Sequence, residues 1–461
     1  MASKMISFLI LVMGFLPPFL PPAYGEIDPL LGPQSALAVG EKRVLVAVTK
    51  FSDAQPSKSM EELKKKIFVS LNTYLQEQSY GLTSIKVDFR GWIRLPDPLS
   101  DYKISPYNYK VDKNRVRKFV EDTMSAMEKE VDFTNYDQIL IIPGVQTSPG
   151  QGYGMICYCA NPGMLSGVTK RYVPRFETLR TKGGKEFQGG VSVGAENAHL
   201  GMLAHDYIHT LGGIQDGKRL APCLYDFERQ SDAKAGKPSF ENHAIFMGPW
   251  DIMSQHLVEQ GKPCPGLSSF TKIRLGWISQ EKVFFLEPGK TGHIFLTPLS
   301  QNGNKLVVKI PLGRDSYYLI ENRQPIGYDK VLPDSGIIIL KVNTSVPEGY
   351  GTVRVMNADP NTKNFYRATY KPGINGRNIY LDKDDNIAVI PLWMERDNLG
   401  VLITTGDKGP VALKAAASIQ DLMKKGRLSD RADQISKAVA AFEAYEFEQA
   451  YAIATGPSGN N

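Results

Sequence analysis

The stretch Ala204-His205-Asp206-Tyr207-Ile208-His209-Thr210-Leu211-Gly212-Gly213-Ile214-Gln215-Asp216 governs the reading of this chain. It predicts a helix from about Ala198 to Leu211, brought to a stop by Gly212-Gly213. His205 and His209 are four apart, so a helix places both imidazoles on one face, one turn apart. That spacing suits two nitrogen ligands converging on a tetrahedral Zn²⁺. The turn at Gly212 lets a third ligand come back to the metal, and Asp216 is the first candidate. Three protein ligands leave a fourth position for water, whose pKa the metal would lower toward ~7. The alternative is a capped core helix with two satisfied histidines. The chain has six histidines, too few to make such a pair common by chance. The carboxylate after the first histidine and the glycine three after the second add specificity.

Working outward, the segments before this helix alternate strand and helix. Arg43 to Val48 reads as a buried strand. Met60 to Gln78 carries a helical stripe of Leu63, Ile67, Leu71 and Leu75. Thr83 to Phe89 alternates as a half-buried strand. Val116 to Val131 predicts a helix, and Gln138 to Ile142 a short central strand. Residues 144–195 are Gly-rich and aperiodic, and predict a long loop region over the sheet. From Val283 to about Thr405 the texture changes to short apolar runs, such as KLVVKIPL and GIIILKV, separated by Gly, Asn, Asp and Pro. Such a pattern predicts an all-β, sandwich-like module. Residues 410–452 predict two helices broken near Gly426. The expected class is α+β, with a first domain over 42–282, the β module over 283–406 and a helical tail over 407–461.

The N-terminus carries Lys4, an apolar run from Met5 to Leu16, a Pro-rich stretch and Ala23-Tyr24-Gly25. This is the order of a secretory signal peptide, residues 1–25, and predicts export. The run is too short for a membrane span of ~20 residues, and no other stretch qualifies. Residues 26–41 read as a linker or short pro-segment. The net charge of +6 over 461 residues is modest, with no long Lys/Arg block, and gives no reason to expect nucleic-acid binding. An even count of four cysteines in an exported chain suggests disulfides, with Cys223–Cys264 a plausible pair. A Cys157–Cys159 bridge would be a strained ring. The same C-x-C pair lacks the C-x-x-C spacing of structural zinc sites.

Beyond the helix, several phrases occur in a particular order: YLQEQSYGLTSIKVDFRGWIRLP (74–96), GPWDIMSQ (248–255), GLSSFTKIRLGWIS (266–279) and YYLIENRQPIGYDKVLPDSGIIILKV (317–342). Together with the helix they resemble the immune inhibitor A-type secreted metallopeptidases, zincins with metzincin-like metal sites, over about residues 43–345. The resemblance implies a zincin-type peptidase domain with zinc as cofactor and proteins or peptides as substrates. His205 and His209 match the two helical ligands. Asp216 matches the third, seven residues after His209 where the tighter pattern has six, and Asp226 is the alternative. Met253 matches the methionine turn beneath the metal. Tyr207 and Tyr225 are candidates for a place near the oxyanion. The remaining His199, His243, His256 and His293 are further ligand candidates.

One position departs from the family: Asp206 stands where it has Glu. This carboxylate would take a proton from the nucleophilic water and return it to the leaving amine. Asp is one methylene shorter, which draws its oxygens back by ~1.5 Å. A misplacement near 1 Å can cost ~10²-fold in rate. Two functions therefore stand as expectations: a secreted zinc endopeptidase, and an impaired homologue that binds protein or glycan.

Overall fold

A computed structural model of the chain describes residues 28–107, 110–167, 170–231, 243–258, 263–424 and 431–456. The signal-peptide reading over 1–25 and the break near Gly426 lie outside these residues. The architecture is mixed α/β with several sheets and a helical C-terminal end.

The first sheet has the strand order β2-β1-β3-β7-β4. β1 is Gly40–Lys50, β2 Thr83–Arg94, β3 Gln138–Pro143, β4 Cys157–Asn161 and β7 Gly190–Gly194; β5 (Leu179–Arg180) and β6 (Glu186–Phe187) form a separate small hairpin. The first four strands of that order run parallel, and β4 is an antiparallel edge. RVLVAV is apolar throughout because both faces of β1 are covered. Leu45 and Ala47 pack toward α3, Lys113–Met127, while Val44, Val46 and Val48 pack toward the opposite layer. That layer holds α1 (Met60–Lys64), its π-helical continuation Lys65–Leu71, α2 (Asn72–Gln78) and α4 (Leu200–Gly212). The stripe Leu63, Ile67, Leu71 and Leu75 is fully buried there.

The expectation of a loop over 144–195 is corrected, since β4 and β7 lie within it. β7 begins and ends in glycine because α4 packs very close to it. A Cβ on Gly190 would sit 2.6 Å from Thr210 Cβ, and one on Gly194 would sit 2.3 Å from Leu203 Cδ2. The glycines weaken the strand signal and at the same time seat the histidine helix against the sheet.

The second sheet, β10-β12-β13-β14-β15, and the third, β11-β18-β17-β16, pack face to face. Their strands are β10 (Val283–Phe285), β11 (Gly292–Leu296), β12 (Val307–Pro311), β13 (Ser316–Arg323), β14 (Gly336–Asn343), β15 (Val353–Val355), β16 (Tyr380–Asp382), β17 (Ile387–Glu395) and β18 (Asn398–Thr404). The run GIIILKV is explained by alternation between two cores. Ile337 and Ile339 face the third sheet, whereas Ile338, Leu340 and Val342 join the core that also contains α4. The β-rich part is thus continuous in packing with the first sheet's layer. On the far side of the third sheet, Ile390, Leu392 and Leu402 pack against the C-terminal helices. These are Gly409–Lys424, Ala432–Glu443 and Phe447–Thr455, so three helices replace the two expected. No helix among the described residues is long and apolar enough to cross a membrane.

Charged side chains are buried where the two parts meet. Arg323 binds Glu321 and Asp329, and its Nη1 donates to the Trp250 carbonyl at 2.8 Å. Lys272, 1% exposed, donates to the Gln78 carbonyl at 2.6 Å. Burial lowers its pKa to about 7, against the opposing pull of Asp329. Between pH ~7 and the unfolded value near 10.4, the unfolded chain therefore holds the extra proton, and stability rises with pH. Urea unfolding of the wild type and Lys272→Met across pH 7 to 10 should show this rise, at most ~1.4 kcal/mol per pH unit, diminished in the variant. Equal slopes would contradict a Lys272 amine whose pKa burial has lowered.

Candidate metal centre

The close packing of α4 against β7 leaves its opposite face toward the loops that follow it. His205 and His209 lie on this helix, 2% and 1% exposed. His205 Nδ1 lies 3.0 Å from the Ile252 carbonyl, and His209 Nδ1 lies 2.7 Å from the Ala221 carbonyl. A carbonyl only accepts, so both rings carry their proton on Nδ1. Burial pushes both imidazoles well below the usual histidine range and keeps them neutral. Their Nε2 lone pairs then face one another at 3.1 Å. Two acceptors so placed need a shared cation or a donor between them.

The third group is Cys223. Its sulfur lies 3.3 Å from His209 Nε2 and 3.7 Å from His205 Nε2. A tetrahedral ion with metal–N of ~2.0–2.1 Å and metal–S of ~2.3 Å would space its donors about 3.3 Å (N to N) and about 3.5 Å (N to S) apart. The three buried residues therefore fit a metal ion in spacing and in donor chemistry. Outer contacts support the sulfur. Arg219 Nη2 lies 3.5 Å from it and the Tyr225 hydroxyl 3.3 Å. Arg219 is itself paired with Glu348, which also accepts from the Cys223 backbone N–H at 2.6 Å. Such partners orient a metal's ligands and tune them.

Asp216 is not part of this group. It is exposed and lies, with Gly217, in the two-residue turn between β8 (Ile214–Gln215) and β9 (Lys218–Arg219). Both residues have positive φ, 51° and 69°, as a type I′ hairpin turn requires. The chain does return to the histidines after Gly212, but only beyond this hairpin, and the residue it delivers is Cys223. Asp226 also lies elsewhere: its carboxylate accepts from Arg229 N at the start of α5, Phe227–Ser231. Asp216→Asn is expected to leave the metal content by mass spectrometry unchanged and stability within ~0.5 kcal/mol. Loss of metal in this variant would restore Asp216 as a ligand.

Asp206 is 9% exposed and faces β4. Cys157 and Cys159 of that strand lie beside it, the Cys157 thiol donating to the Met202 carbonyl at 3.5 Å. Burial raises the Asp206 carboxyl to about 7, against the opposing effects of Cys157, Arg219 and Cys159. The Asp251-Ile252-Met253 turn lies against the site through the Ile252 carbonyl. Asp251 accepts from Met253 N at 2.7 Å, and the Met253 carbonyl accepts from Leu224 N at 2.8 Å, tying this turn to the Cys223 segment. Met253 is fully buried.

The other candidates divide. His256 stacks edge-on to His205, with ring centroids 3.9 Å apart, and His243 packs on Tyr225 at 5.4 Å. His199 caps α4 by accepting from Gly201 N, and His293 is exposed on β11. Tyr207 is buried in the core. The expected disulfides do not form: all four cysteines are free thiols, with Cys223 turned to the histidines. The signal for Cys223 in the sequence was a cysteine shortly after the helix with no obligatory partner. No protein-family model and no curated protein matches the chain.

Proposed function

We propose that this chain is an exported zinc metallopeptidase of zincin type, with the metal held by His205, His209 and Cys223 and with Asp206 as proton carrier. The observation that supports the reading is the convergence of two neutral Nε2 atoms and one sulfur on a single point, next in sequence to a buried carboxyl on the same helix. Mixed N/S donors at tetrahedral spacing suit zinc. When bound, the metal would supply a Lewis acid for a peptide carbonyl and lower the pKa of water.

The remaining chemistry belongs to the chain's own residues. The carboxyl of Asp206, raised to about 7, is matched to taking a proton from the nucleophilic water and returning it to the leaving nitrogen near neutral pH. Cys157 and Cys159 of the edge strand flank that carboxylate and favour its charged form. Burial holds the Cys223 thiol well above the usual cysteine range, and Arg219 and Tyr225 pull the other way, toward the anionic form that a ligand must adopt.

Closure of the site favours a second reading, an impaired homologue that binds protein or glycan. None of the three ligand residues is more than 3% exposed. The test is casein cleavage by the mature chain, with and without chelator, beside its zinc content. The peptidase reading expects chelator-sensitive cleavage that Asp206→Asn lowers by ~10²-fold or more, with zinc retained. Zinc without cleavage, and cleavage gained by Asp206→Glu, would replace it with the second reading.

A further inference from the structure

A cavity of about 700 Å³ adjoins the metal centre, and Arg219, Pro222 and Glu348 are among the residues that line it. Pro222 directly precedes Cys223, and Arg219 Nη2 stands 3.5 Å from the sulfur. The guanidinium that touches the sulfur therefore also faces this space. The volume lies within the range of ligand sites, ~300–1,000 Å³.

Its charges do not balance. Arg219 is paired with Glu348, and Lys170 stacks on Tyr350 at 3.7 Å. Four more cations, Lys218, Arg274, Lys309 and Arg314, line the cavity against the carboxylates of Asp216 and Asp315. None of the four forms an ion pair among the described residues. Backbone carbonyls take their donors instead. Arg274 Nη1 donates to the Pro33 carbonyl at 3.0 Å, Lys309 Nζ to the Leu31 carbonyl at 3.2 Å, and Lys218 Nζ to the Thr344 carbonyl at 2.8 Å. A carbonyl satisfies a donor without cancelling its charge. Arg274 and Lys309 are only 6% and 8% exposed, so water and salt screen them little. Lys309 stays charged at neutral pH: burial and then Arg274 lower it to about 8, against the pull of Asp28, which lies outside the lining. Like charges set along a low-dielectric wall focus a positive potential on the space before them.

Lys218 and Arg314 are exposed and stand on separate elements, β9 and the β12–β13 turn. They suit carboxylates spaced along a chain better than one small anion. Phe285, Pro311 and Tyr317 add apolar surface, which suits aliphatic parts of a peptide rather than a fully hydrated glycan.

We propose that this cavity takes acidic peptide segments, their side-chain carboxylates on Lys218 and Arg314 and their apolar parts on Phe285, Pro311 and Tyr317. That such a segment is cleaved at the metal rests on the peptidase reading; that the cavity holds it does not.

The test is fluorescence anisotropy of a labelled glutamate-rich peptide and its glutamine counterpart. It is read on the full wild-type chain loaded with zinc and on Asp206→Asn, in which cleavage does not compete. Saturable binding of the glutamate peptide is expected, at least ~10-fold tighter than that of the glutamine peptide and weakened by salt. Lys218→Glu and Arg314→Glu, at exposed positions, should each weaken it several-fold. Lys414→Glu, equally exposed but on the helix Gly409–Lys424 and outside the lining, should leave it unchanged. Equal binding of the two peptides, or an equal loss in Lys414→Glu, would overturn the proposal. A heparin fragment that binds more tightly through the same two residues would make a glycan the occupant and overturn it as well. Binding of the glutamate peptide without cleavage of any peptide would uphold the proposal and remove the peptidase reading.

Discussion

Cys223→Ala is expected to empty the metal centre, taking the bound metal from about one per chain to below about a tenth. The substitution removes one donor of three and the only one that brings a negative charge. The two histidines alone would hold the ion through neutral nitrogens, and the buried site has little else to balance a divalent charge. The variant should also lose the stability that metal binding lends to the folded state. That contribution is ~2.7 kcal/mol when free metal stands at 100 times its dissociation constant. The melting temperature of the wild type should therefore fall on adding chelator, and that of the variant should not respond. His209→Ala should behave alike, whereas Asp216→Asn should match the wild type. Full metal content in Cys223→Ala would show that the sulfur is a bystander.

Arg323→Met is expected to destabilise the fold by ~3–5 kcal/mol, read by urea unfolding. Arg323 and Glu321 are both fully buried, and Asp329 is 3% exposed. The guanidinium contacts Glu321 at 2.9 Å and Asp329 at 2.7 Å. Removing it leaves two buried carboxylates with Lys272 as the remaining nearby cation. It also leaves the Trp250 carbonyl without its Nη1 donor. Trp250 directly precedes Asp251-Ile252, whose carbonyl orients His205. Metal affinity should fall with stability, by roughly 10-fold, as for loss of an outer partner of a ligand. Replacing Glu321, Arg323 and Asp329 together by apolar residues of similar volume should recover much of the loss. A cost below ~1 kcal/mol for Arg323→Met would mean that water reaches these charges.

Much of the frame was legible from side-chain periodicity. RVLVAV, the Leu63–Leu75 stripe, the histidine helix and the short β runs are elements whose signal lies in their own residues. β7 was hidden for a tertiary reason. Gly190 and Gly194 are required by the approach of Thr210 and Leu203 from a helix distant in sequence, and local propensity does not register that demand. The continuous run GIIILKV was read as a strand, but that it serves two cores on alternate residues follows from the layers on either side of it.

At the site, helical spacing was enough to bring His205 and His209 together. Asp216, expected as the third ligand, lies apart from the two histidines, because proximity in sequence stood in for proximity in space. Asp216-Gly217 is itself a hairpin signal, and read as such it removes Asp216 from the site. Cys223 lies 3.3 Å from His209 because the hairpin and the Ala221 carbonyl fold the chain back. The disulfide expectation concealed this by offering Cys264 as a plausible partner for Cys223. Cys264 is buried elsewhere, with its Cβ 2.8 Å from where a Cβ on Gly201 would stand.

X-ray absorption at the zinc edge of the purified wild-type chain tests the central claim most directly. The account predicts two nitrogen scatterers at ~2.0–2.1 Å and one sulfur at ~2.3 Å, the sulfur shell vanishing in Cys223→Ser. A first shell of nitrogen and oxygen alone, or a chain that takes up no zinc, would contradict it.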